Sequence, residues 1–225
     1  MKGIKKTIRD NRFLNWILIL SNWCFQGVLH ADKTEKIYKI FFTLFFWFSF
    51  GMVFYFFSTY SLLTIFALSF FISHSLNWIV NGNFYILLVH RVLFAKISKQ
   101  KLFIYLNQLE NKIQDQDWVL YCASFGSICR GDLKDSSDID VSVVRKPGIK
   151  NAFLSIAFSM KEKKYADLKG IPLELFISDT PKNSIKRFKA EKNPVVIFDP
   201  ENTIDQFYQE KLTIEEAKKL NHLNV

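Results

Sequence analysis

The chain has 225 residues, 49% of them hydrophobic and 16% aromatic, and a formal net charge of +9. Three cysteines, Cys24, Cys122 and Cys129, show neither CxxC nor Cys/His spacing, which excludes a disulfide framework and a zinc site and fits a reducing compartment. The charge does not mark a nucleic-acid binder, because residues 1–91 hold 9 Lys and Arg against 3 Asp and Glu, while residues 92–225 hold 21 against 18.

The first apolar segment, 13–29, is interrupted by Asn15, Ser21 and Asn22 and carries Trp16 and Trp23, residues that favour the headgroup region of a bilayer. It reads as an interfacial helix, not as a third span, and not as a signal peptide, since no small-residue cleavage site follows.

From Ile40 to His90 there is no Lys, Arg, Asp or Glu. A bilayer core needs about 20 apolar residues in helix, and two stretches answer to that, 40–57 and 62–80. The linker Ser58-Thr59-Tyr60-Ser61 is so short that the two helices must be antiparallel neighbours, a transmembrane hairpin. Within the second stretch His74, Ser75 and Asn77 are polar; they line a partner interface or a substrate path, or simply hydrogen-bond between helices. Lys2, Lys5, Lys6, Arg9, Arg12, Lys33, Lys36 and Lys39 precede the hairpin and Arg91, Lys96, Lys99 and Lys101 follow it. Both ends are therefore expected in the cytoplasm, in a multi-pass protein of the cell (inner, cytoplasmic) membrane. Residues 84–94 are too short to cross alone and are expected to lie along the cytoplasmic interface.

Beyond the connector the pattern changes. Leu102, Leu106, Leu109 and Ile113 recur at helical spacing, 119–124 reads as a short strand, 193–198 as a further strand and 213–220 as a final helix. The division expected is a basic cytoplasmic or interfacial segment 1–39, a hairpin 40–80, a connector 81–101 and a soluble domain 102–225.

Two places in that domain carry chemistry. If Asp138 and Asp140 lie on a strand, alternation points both carboxylates the same way and sends Ile139 and Val141 into the core. Two like charges side by side repel, and a divalent cation between them relieves the repulsion. Glu174 sits in the apolar run Leu173-Glu174-Leu175-Phe176-Ile177, where a carboxylate needs a partner, a proton or a metal. Gly126 and Ser127 follow the first strand and precede a possible helix, a place where backbone can approach a phosphate. Taken singly, the pieces also read as a turn glycine, a capping Ser-Asp and a Glu satisfied by a neighbouring Lys.

The combined run, Gly126-Ser127, then Arg130-Gly131, then Ser137-Asp138-Ile139-Asp140-Val141, resembles the DNA polymerase beta-like nucleotidyltransferase superfamily, above all its small minimal branch. The resemblance covers roughly residues 102–198. It implies an α+β domain with a central mixed or antiparallel sheet and flanking helices. Asp138 and Asp140 would be ligands for two Mg2+ ions, and Glu174 would be the third carboxylate. Asp167 and Asp179 compete for that third place but lack a comparable apolar flank. The resemblance further implies a nucleoside triphosphate such as ATP as substrate, held at Gly126 and Ser127. Arg130 would either neutralise phosphate charge or form a surface salt bridge. The activity implied is transfer of a nucleoside monophosphate to an acceptor hydroxyl by a membrane-anchored enzyme, with nucleic acid not expected as acceptor. A lipid-linked or membrane-associated acceptor fits the anchor. The other reading is a non-catalytic nucleotide-binding membrane sensor or scaffold.

Overall fold

The computed structural model describes residues 12–29, 31–82, 84–89, 96–189, 191 and 193–223, and the chain divides into two units, Met1–Val92 and Leu93–Val225. Lys2, Lys5, Lys6, Arg9 and Arg91, on which the expected orientation leans, lie outside the described residues, as do positions 90–94 of the expected interfacial segment.

The first unit holds α1 (Arg12–Phe25), α2 (Lys33–Phe57), α3 (Leu62–Asn81) and the single turn α4 (Phe84–Leu87). With 25 and 20 residues, α2 and α3 run about 38 and 30 Å at about 1.5 Å per residue. Both are long and apolar enough to cross a membrane. α2 begins before the charge-free run because Lys39 pairs with Glu35 at 2.8 Å one turn away, which carries the helix through its polar residues. The Ser61 side chain accepts from the Thr64 amide and starts α3.

The packing of this pair is inverted relative to a soluble hairpin. Ile65, Ser69, Ser73, Asn77 and Asn81 recur every four residues as the buried face of α3, and a Cβ on Gly51 of α2 would stand 3.6 Å from the Ser69 hydroxyl. Phe41, Phe48, Phe56, Leu63 and Phe71 point outward and are exposed. Asn77 donates to the Lys39 carbonyl at 3.2 Å and to Thr43 Oγ1 at 2.9 Å, and Asn81 donates to Asn77 Oδ1 at 2.8 Å. Small and polar residues inside with aromatics outside are what helices in lipid use, since apolar burial drives nothing there.

α1 has 14 residues, about 21 Å, and joins α3 through its C-terminal end. Trp23 Nε1 donates to Ser75 Oγ at 3.1 Å, Gln26 Nε2 to the His74 carbonyl at 2.7 Å, and Trp78 Nε1 to Asn22 Oδ1 at 2.7 Å, while His74 Nε2 lies 2.9 Å from the Trp23 carbonyl. The polar residues of the second span thus hydrogen-bond between helices.

The second unit is an α+β arrangement of α5 (Lys99–Gln114), β1 (Val119–Phe125), β2 (Ile139–Arg145), α6 (Ile149–Leu168), β3 (Leu173–Ser178), α7 (Pro181–Arg187), β4 (Val195–Phe198) and α8 (Ile214–Leu220). The four strands form a mixed sheet in the order β3-β2-β1-β4. β1 is antiparallel to β2 and β4, and β2 is parallel to β3 through the α6 crossover. α5 and α6 share one face of the sheet: Leu102, Leu106, Leu109 and Ile113 are buried there, and Tyr105 and Lys112 on α5 both donate to Glu162 on α6, at 3.1 and 2.8 Å. The opposite face carries a smaller cluster of Tyr121, Ala123, Phe125 and Val144 against Phe188, whose ring stacks on Phe125 with centroids 4.0 Å apart. α8 starts with a capping box between Thr213 and Glu216.

Candidate functional site

Alternation along β2 decides which face bears its carboxylate. Ile139, Val141 and Val143 are fully buried on the α6 side, so Asp140 and Ser142 turn to the other face, where Ser142 meets Ser184 of α7 at 2.9 Å. β3 follows the same rule, with Leu173, Leu175 and Ile177 buried and Glu174 and Phe176 half-buried opposite them. Parallel pairing then sets Asp140 directly beside Glu174. Asp138 precedes the first residue of β2 instead of lying within the strand, yet its carboxylate reaches the same place. One oxygen from each of Asp138, Asp140 and Glu174 lies within 4.8 Å of the others, and all three residues are half-buried.

Three carboxylates this close resist full ionisation. Burial, then the charges of Asp138 and Glu174, push the Asp140 carboxyl up to about 8 from its ordinary 3.8. Burial and the Asp138 charge also raise Glu174, offset in part by its hydrogen bond with Asp140 and by Lys163. A half-buried set of oxygen donors that holds a proton near neutrality suits a hard divalent cation, which would replace the proton and satisfy all three acids.

The end of β1 completes the site, since Phe125 pairs with Asp140. Gly126 follows at φ +81°, and a Cβ there would collide with Asp140 Oδ2; only glycine accepts both that backbone and that approach. Ser127 is half-buried beside it. In the place of the possible helix after β1 stands a single 3₁₀ turn, Gly126–Ile128. Its chain is turned back within one turn by the left-handed Gly131, φ +72°, and by packing against Leu220, so no sustained helix dipole points at the carboxylates.

Arg130 is half-exposed and forms ion pairs with Glu191 and, at 3.5 Å, with Asp132. Asp167 pairs with Lys164 at 3.5 Å and Asp179 with Arg145 at 2.9 Å, and neither belongs to the carboxylate cluster. Cys129 is a buried filler under the loop: its thiol donates to the Gly126 carbonyl at 3.1 Å and lies 3.5 Å from Glu191. Burial and the Glu191 charge push that thiol up to about 12.

Sequence reasoning missed two supports. Glu191 stands in an irregular segment, yet it holds Arg130 and adds its charge to Asp140. Asn221, fully buried, accepts from the Leu133 amide at 3.1 Å and donates to the Ile128 carbonyl at 2.8 Å, pinning the loop from a distance of about 90 residues. Neither position carries a periodic or motif signal. No protein-family model, curated protein or solved structure matches the chain.

Proposed function

We propose that the second unit is a nucleotidyltransferase of the polymerase beta-like type, held at the cytoplasmic side of a membrane by the α2–α3 hairpin. The observation that carries the reading is the convergence of Asp138, Asp140 and Glu174 within 4.8 Å beside the left-handed Gly126. The inverted packing of α2 and α3 supports the anchor, and the basic residues at both ends of the pair support a multi-pass topology with the catalytic unit facing the cytoplasm.

Asp138, Asp140 and Glu174 would hold two divalent ions, which when bound supply charge neutralisation for the attacking and leaving oxygens. Gly126, which has no side chain, and the Ser127 hydroxyl would bind a phosphate beside the carboxylates. Arg130, already bound to carboxylates, would meet the phosphate charge by exchanging Glu191 for it. The half-buried Glu174 carboxylate would take the acceptor's hydroxyl proton as that oxygen bonds to the alpha-phosphorus and pyrophosphate leaves.

The test is to incubate the purified full chain, and its Asp138→Asn/Asp140→Asn variant, with each alpha-labelled nucleoside triphosphate, Mg2+ and membranes, and to follow label into lipid, protein and small-molecule fractions. Transfer into one fraction that the variant loses is the expected result. Nucleotide binding with no transfer from any triphosphate would overturn it in favour of a nucleotide-binding sensor.

A further inference from the structure

The outer face of α6 does not look like the solvated side of a soluble helix. Ile149 is 79% exposed, Phe153 74% and Leu154 41%. At 100° per residue these three share an arc with Lys150, Ala157 and Lys161, all exposed, while Ser155, Ser159, Glu162 and Ala166 form the buried arc. From Val141 to Lys161 the sequence has no Asp or Glu and carries Arg145, Lys146, Lys150 and Lys161. Arg145 is spent on Asp179 and Lys146 faces Glu201 at 3.9 Å. Lys150 and Lys161 pair with no carboxylate among the described residues. Exposed aromatic and aliphatic side chains flanked by lysines form a surface patch of the kind that anionic lipid attracts.

We propose that this face of α6 rests on the anionic surface of the bilayer that the hairpin enters. The inference rests on the membrane reading above but not on the catalytic one. Charge complementarity selects the occupant: lipid headgroups of negative charge attract Lys150 and Lys161, while Ile149 and Phe153 reach the acyl boundary. A second copy docked through the same face would set these lysines against their own counterparts. α7 serves as contrast, because its exposed residues Lys182 and Lys186 are basic with no large apolar side chain exposed beside them.

The experiment uses the full chain with Cys24→Ser, since Cys122 and Cys129 are buried, carrying one nitroxide at a time through Phe48→Cys, Phe153→Cys or Lys182→Cys. Proteoliposomes with and without anionic lipid are read by collision with oxygen and with a water-soluble nickel chelate. In anionic vesicles, the labels at positions 48 and 153 should respond mainly to oxygen and the label at 182 mainly to the chelate, with oxygen preference several-fold higher at 153 than at 182. Lys150→Glu with Lys161→Glu should return position 153 to the chelate and leave position 48 unchanged, and zwitterionic vesicles should act in the same direction. A chelate-accessible label at 153 with position 48 in lipid would overturn the docking and leave the anchor standing. A label at 153 shielded from both reagents would indicate a protein contact and overturn it as well. A chelate-accessible label at 48 would bring down the anchor and the docking together.

Discussion

The two units handle buried polarity in opposite ways. In the first, polar side chains between apolar helices meet complementary partners: Lys39 meets Glu35, Asn77 meets Thr43 and a carbonyl, Trp23 meets Ser75. In the second, the half-buried acids Asp138, Asp140 and Glu174 meet one another. Complementary pairing is what stability alone requires, because an unsatisfied polar group costs about 1–3 kcal/mol or more. Carboxylates gathered together and raised in proton affinity store repulsion instead, and stored repulsion marks the place where a ligand is expected.

The sharpest way to break that contrast is to remove the repulsion. Asp138→Asn with Asp140→Asn should lower Mg2+-dependent transfer by at least about a hundredfold, in line with the loss of charged groups that act at the reacting centre, while a thermal melt in chelator shows no loss of stability. An unaltered rate would refute the assignment.

Gly126→Ala tests the approach of backbone to acid. It places a Cβ where Asp140 Oδ2 now stands and imposes a left-handed φ on a residue that pays about 1–2 kcal/mol for it. Mg2+ affinity measured by calorimetry should fall about tenfold or more, with a lower melting temperature; retention of both would show that the glycine is merely a turn.

In the first unit the effect should fall on stability alone. Lys39→Met removes the counter-charge of the buried Glu35, and breaking a buried pair from one side costs about 3–5 kcal/mol. Unfolding in mixed detergent micelles should register it. Asn77→Leu removes three hydrogen bonds and should cost less, about 2 kcal/mol at about 0.6 kcal/mol for each such bond in lipid. Transfer by the chains that remain folded should be unchanged, and a selective loss of transfer in folded Asn77→Leu would mean that the hairpin does more than anchor.

A further effect is a slope with pH. Because the folded chain holds Asp140's proton up to about 8 while the unfolded chain releases it near 3.8, the folded state binds more protons between those values. Metal-free stability should therefore decline as pH rises from about 4 to about 8 and level off above. Melts of the wild type minus those of Asp140→Asn isolate this contribution, and a difference that rises with pH would contradict the shift.

Much of this was legible because it is periodic. A charge-free run defines two helices of spanning length, Leu102 to Ile113 define α5, and alternation at Ile139, Asp140 and Val141 sets the face of the acids. What escaped is held by contacts between residues far apart in the chain. Glu191 reaches Arg130 across 61 residues and Asn221 reaches Ile128 across 93, from segments with no repeat of their own. The attachment of α1 to α3 through Trp23, Gln26 and Trp78 escaped for the same reason, since tryptophan in a short apolar segment reads first as a headgroup residue. That the possible helix after Gly126 is only a 3₁₀ turn was not legible either, because the close approach of Gly131 to Leu220 is set by a residue far along the chain.

The most direct test of the carboxylate cluster is a Mn2+ titration of the full chain in detergent, followed by the loss of the free-ion paramagnetic signal, with and without a nucleoside triphosphate, against Asp138→Asn/Asp140→Asn and Glu174→Gln. The account expects saturable binding to the wild type that strengthens with nucleotide and is lost in the double variant and weakened in Glu174→Gln. Equal binding by all three proteins, or none by the wild type at millimolar Mn2+ with nucleotide present, would contradict it.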